Sequence, residues 1–132
     1  MPQRTFTPEE ANAALAEVRP LVERLVEHRA DLLAVQARQA EVAARVGGNG
    51  GGFEPKLGGA LAEAASTAED GLREAIEALD ELGVVVKDLD AGLVDFPSDR
   101  DGELVLLCWQ LGEERVAWWH TLDGGFAGRQ PL

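Results

Sequence analysis

The sequence predicts an α+β fold: a long antiparallel helical hairpin followed by a small antiparallel β-meander of about four strands. Three observations carry that prediction. Apolar residues recur at steps of three and four from Ala14 to Val46, and again from Leu57 to Leu82. The glycine-rich run from Gly47 to Gly52 separates the two. After Gly83 the pattern changes to short β-branched and aromatic runs punctuated by Gly, Asp and Pro.

The long first helix spans 7–46. Thr7 can cap its first turn, Pro8 suits the first helical position, and Thr7 with Glu10 has capping-box spacing. Its seam runs Ala14, Val18, Leu21, Leu25, His28, Leu32, Val35, Gln39, Val42 and Val46. Pro20 cannot donate to the carbonyl of Ala16, so a kink is expected near residues 16–20. The loop 47–56 reads as a flexible link; without a preceding strand or a following Lys-Ser/Thr it is no phosphate loop.

The second helix, 57–82, carries Leu57, Leu61, Ala64, Ala68, Gly71, Ala75, Ala78 and Leu82 along one line, with Gly83 as its cap. His28 is expected to face roughly Ala75 as a polar seam position. At 1.5 Å per residue the helices are about 60 and 39 Å long. Residues 7–20 therefore overhang, and the sheet is expected to pack on them around Ala11, Leu15 and Val18.

The sheet, 84–121, reads as strands at 84–87, 93–96, 104–110 and 115–121, joined by turns at 88–92, 97–102 and 111–114. Asp88-Leu89-Asp90-Ala91-Gly92 lacks a calcium loop's later acids and reads as a hairpin turn. Setting Gln110 opposite Arg115 puts Val105, Leu107, Trp109, Val116, Trp118 and His120 on one face. Leu104, Leu106, Cys108, Ala117 and Trp119 fall on the other. Both faces are then apolar, and all three tryptophans lie within eleven residues. The helices can cover one face, so a second copy is expected on the other, with Trp109, Trp118 and Trp119 as interface candidates.

Composition bounds the function. The single domain 1–132 carries 24 acidic and 12 basic residues, a net charge of −12. That charge argues against nucleic acid and anionic membranes as partners. One cysteine excludes an intrachain disulfide or a multi-cysteine zinc site. No apolar leader or 18-residue apolar run is seen, and the expected location is the cytoplasm.

Several stretches together carry a resemblance. They include Phe6-Thr7-Pro8-Glu9-Glu10-Ala11-Asn12, Gly92-Leu93-Val94-Asp95-Phe96-Pro97 and Leu107-Cys108-Trp109. Leu111-Gly112-Glu113, Trp119-His120 and Gly125-Phe126-Ala127-Gly128-Arg129-Gln130-Pro131 complete it. In these the chain resembles the bacterial family known as domain of unknown function 2203. The resemblance implies a small intracellular protein and supplies neither an activity nor catalytic residues.

Chemistry, if present, belongs to the C-terminal half. Asp95, Glu113, His120 and Arg129 are the candidate ligand- or metal-binding residues, because carboxylates and imidazole bind ions and move protons. In the register above Cys108 and His120 point to opposite faces, which weakens a joint site. No cofactor signature is present, and a divalent metal is the cofactor these residue types could hold. The tail 122–132 reads either as a strap closing a pocket through Arg129 or as a segment docked on the sheet. The leading expectation is a non-enzymatic homo-oligomeric interaction module, most simply a dimer. The alternative is a small-ligand or divalent-metal protein, with hydrolysis as its chemistry if it has any.

Overall fold

The computed structural model describes residues 4–49 and 55–132. Helices α1 (Pro8–Asn49) and α2 (Pro55–Glu81) precede five strands: β1 (Val85–Asp88), β2 (Leu93–Arg100), β3 (Glu103–Gln110), β4 (Trp118–His120) and β5 (Gln130–Pro131). The strands lie in chain order and pair antiparallel, so the α+β hairpin-and-meander architecture is present with one strand more than expected. Of the predicted loop 47–56, residues 50–54 lie outside the described residues, while 47–49 extend α1 and 55–56 open α2, so both helices reach further into the glycine-rich segment than expected.

The start of α1 is built by its sequence. The Glu10 amide donates to Thr7 Oγ1 (3.1 Å) and the Thr7 amide to Glu10 Oε1 (2.9 Å). Those bonds, the Thr7 amide foremost, hold the Glu10 carboxyl below its ordinary value. The helix runs on through Pro20, whose ring is exposed. Between the helices His28 meets Gly71, one turn from the expected Ala75. A Cβ added at Gly71 would lie 2.5 Å from the His28 ring, so glycine lets the imidazole rest against the α2 backbone, and a larger residue would require the ring to move.

The sheet packs on the overhanging part of α1. Ala11, Leu15, Val18, Val22 and Leu25 join Leu79, Val84, Val94, Phe96, Leu107, Trp109 and Val116 in one buried cluster. Phe6 closes it edge-on against Phe96 (5.2 Å between centroids), and its amide donates to the Pro97 carbonyl (2.7 Å). That bond takes the place of β1, whose pairing with β2 ends at Asp95.

The predicted turn at 97–102 is a correction. Strand β2 continues through Pro97 to Arg100, and the hairpin closes on Asp101-Gly102, both at positive φ (54° and 84°). Positive φ at both positions is what a tight type I′ hairpin demands, and Asp-Gly supplies it. Pro97 is tolerated because its nitrogen faces the side that β1 has already left, so no ladder bond is lost.

The last hairpin is the larger correction. Strand β4 holds three residues, not seven, because α1 captures the chain before it. Asn12 accepts from the Val116 amide (2.8 Å) and donates to its carbonyl (3.1 Å), while Arg19 donates to the Glu114 carbonyl (3.0 Å). Pairing resumes with Leu106 opposite His120, Leu107 opposite Trp119 and Cys108 opposite Trp118. This register is one residue from the expected one, and a one-residue slip exchanges the faces of an entire strand. Trp119 now lies on the helix-packed face with Leu107 and Trp109. Trp118 and His120 join Leu106, Cys108 and Asp95 on the opposite face.

Candidate metal centre

Asp95 on β2, Cys108 on β3 and His120 on β4 come together on that opposite face. Their side-chain donor atoms lie within 4.8 Å of one another, and the residues are 1%, 0% and 3% exposed. Asp95 is opposite Cys108 in the β2–β3 ladder, and His120 sits diagonally across β3. It is the only such trio of His, Cys, Asp or Glu among the described residues.

The hydrogen bonds fix the roles of the imidazole. His120 Nδ1 lies 2.7 Å from the Thr121 carbonyl, which can only accept, so Nδ1 carries a hydrogen. Nε2 lies 3.1 Å from Asp95 Oδ1 and is the edge turned toward the trio. The second Asp95 oxygen, Oδ2, is buried and accepts no hydrogen bond of ordinary geometry among the described residues, the Cys108 thiol being the donor beside the carboxylate. An unsatisfied buried carboxylate oxygen is costly and calls for a positive partner.

The arrangement does little to activate a nucleophile: the His120 nitrogen that faces the trio, Nε2, lies against Asp95 Oδ1 at 3.1 Å. Burial pushes the Cys108 thiol up to about 11, and the neighbouring Asp95 charge adds to the shift. The donor set does suit an ion. Sulfur, imidazole nitrogen and carboxylate oxygen are the ligands of zinc and its neighbours, which would draw them to roughly 3.3–3.8 Å apart. A metal-bound histidine usually donates its other N–H to a carbonyl, as His120 does to Thr121.

Of the four candidates taken from the sequence, Asp95 and His120 meet, whereas Glu113 and Arg129 bind each other instead. Arg129 Nη2 reaches both Glu113 oxygens (2.7 and 2.9 Å), and Glu113 Oε1 accepts from the Gln110 amide (2.7 Å). The Arg129 guanidinium lies over Trp118 and Phe126, at 5.2 and 4.5 Å from their ring centroids. Cys108 is the residue absent from that set; shifting the trial register by one residue would have found it.

The tryptophans do not form a common outer face. Trp109 is fully buried within its own chain and donates to the Glu113 carbonyl (3.1 Å). Trp118 and Trp119 are half-buried, and Arg100 stacks on Trp119 at 4.3 Å. The tail is a fifth strand on the sheet edge: β5 pairs with β4, and the Leu132 amide donates to the Ala117 carbonyl (2.9 Å). Asp88 spends its carboxylate on the amides of Asp90 and Ala91, as a hairpin turn requires, and those bonds hold it below its ordinary value.

No curated protein and no solved structure matches the chain. No helix among the described residues is long and apolar enough to cross a membrane. Residues 4–132 match the family described as an uncharacterized conserved protein, DUF2203. With the match running through both helices, every strand and the whole Asp95–Cys108–His120 centre, the chain belongs to the DUF2203 family.

Proposed function

We propose that this protein binds one divalent transition-metal ion, of the zinc class, through Asp95, Cys108 and His120. The observation that carries the reading is the buried, partnerless Asp95 Oδ2 beside a thiol and an imidazole nitrogen whose partner nitrogen is already anchored. Three protein donors leave the ion a fourth position, but burial of all three keeps that position from bulk solvent, which favours an ion that ties β2, β3 and β4 together over one that hydrolyses a large substrate. A lone thiol donor suits a reducing compartment such as the cytoplasm. The excess of acidic charge works against nucleic acid as a partner.

The test is metal content by mass spectrometry after equilibration with Zn2+ and gel filtration. One zinc per chain is expected in the wild type and none in Asp95→Asn or His120→Gln, with helical circular dichroism retained. Wild-type protein that emerges metal-free contradicts the reading.

A second reading, self-association of two copies, draws support from the outer half of the helical hairpin. Beyond Leu32 on α1 and before Ala68 on α2, no described residue is buried, and Leu33 and Val46 are 44% and 40% exposed. Residues 33–67 balance three acids (Glu41, Glu54, Glu63) against three bases (Arg38, Arg45, Lys56), which leaves the whole excess of negative charge elsewhere. Two copies can bring these neutral arms together without the repulsion their other surfaces impose. Sedimentation equilibrium should give a dimer that Leu33→Glu with Val46→Glu converts to monomer. A monomeric wild type at about 100 µM rejects this reading.

A further inference from the structure

We infer that the Arg129–Glu113 ion pair latches the C-terminal segment over the metal centre and sets how fast the ion is exchanged. The inference rests on the metal-binding reading above. Asp95, Cys108 and His120 project from the sheet face opposite the helix-packed core. The tail and the β3–β4 loop both bring groups beside the trio. The Thr121 carbonyl holds His120 Nδ1, and Arg129 Nη2 approaches the Cys108 carbonyl at 3.4 Å. Glu113 anchors Arg129 from the loop.

The chain leaves β4 at His120, crosses residues 121–129 and returns as β5. That crossing is held by little regular structure: a single 3-10 turn and a two-residue strand. Arg129 is its strongest tie. Its guanidinium lies over the rings of both Trp118, the cross-strand neighbour of Cys108, and Phe126 of the crossing itself. It meets Glu113 through one nitrogen shared by both carboxylate oxygens, in a largely buried pair. With the ligands at most 3% exposed, an ion moves in or out only when some cover lifts. The tail is the cover whose removal disturbs neither a helix nor the central ladder.

A latch and a ligand leave different kinetic signatures. Loosening a latch raises the open fraction for the empty and the loaded protein alike. Association and dissociation then speed up together, and Kd stays put. Losing a ligand, or general loosening of the fold, raises dissociation alone and weakens Kd.

The experiment loads wild type, Arg129→Ala, Glu113→Gln and the double variant with Co2+. Uptake and displacement by excess Zn2+ are followed through the thiolate-to-cobalt absorption. Both rates should rise at least about 30-fold in each single variant, with Kd within about threefold of wild type. The double variant should exchange no faster than the singles, because both break one interaction. Rates within about twofold of wild type, or a rise in dissociation alone, overturn the latch while leaving the metal centre standing. A wild type that takes up no Co2+ overturns the latch and the metal-binding reading together.

Discussion

Helix α1 lies in two environments. From Ala11 to Leu32 it places six side chains below 7% exposure against α2 and the sheet; from Leu33 to Val46 it places none. The heptad-like seam is the same in both halves. The difference comes from what lies beyond the partner helix. Two helices alone cannot enclose a seam, whereas two helices and a sheet can. Polar chemistry follows the enclosure: the buried Asp95, Cys108 and His120 lie at the sheet end, where low solvent access strengthens electrostatic interactions and raises the cost of any unpaired charge.

Substitutions should separate the two ends by size. Trp109→Ala removes the largest buried side chain of the sheet end and should cost about 4 kcal/mol in urea unfolding. Leu33→Ala in the outer arm should cost less than about 0.5 kcal/mol. Equal losses would erase the distinction. In metal-free protein, Asp95→Ala leaves the buried His120 edge without its partner and should cost about 3 kcal/mol. Asp95→Asn, whose amide can donate to Nε2, should recover most of that loss.

Cys108 supplies a pH test. Its thiol titrates at about 11 in the folded chain, raised by burial, against an ordinary value of 9.0. The folded state therefore keeps a proton that the unfolded chain has released. The resulting stabilisation is complete below pH 9 and is lost as pH climbs through 11, a fall of about 2 kcal/mol. Cys108→Ser should flatten that slope in metal-free protein, and an unchanged slope would place its source elsewhere. At the sheet end the smallest effect is that of Thr7→Ala, which removes the capping box of α1 and should cost about 1 kcal/mol by thermal unfolding.

The fold was legible because periodicity is local. The capping box at Thr7, the three- and four-residue steps of both helices, and the turn residues after Gly83 each announce their element without reference to anything distant. The centre was only half legible. Asp95 and His120 stand out as polar residues among apolar neighbours. Their meeting with Cys108 depends on a register that the strand pattern could not convey. Leu104 to Trp109 and Val116 to Trp119 are apolar at nearly every position, so alternation does not tell one face from the other. The deciding contact is Asn12 with Val116, 104 residues apart in the chain. Glu113 and Arg129, expected from the sequence as ligands beside Asp95 and His120, pair with each other instead. That each was the other's partner required the tail to fold back as β5.

The central claim is that the sheet end encloses one ion held by sulfur, imidazole and carboxylate. X-ray absorption at the zinc edge of the loaded protein tests it most directly. The account predicts one sulfur neighbour at about 2.3 Å, with imidazole nitrogen and oxygen neighbours at about 2.0–2.2 Å, and loss of the sulfur in Cys108→Ser. A first shell of oxygen alone, unchanged by that substitution, would mean that zinc sits on exposed carboxylates and would contradict it.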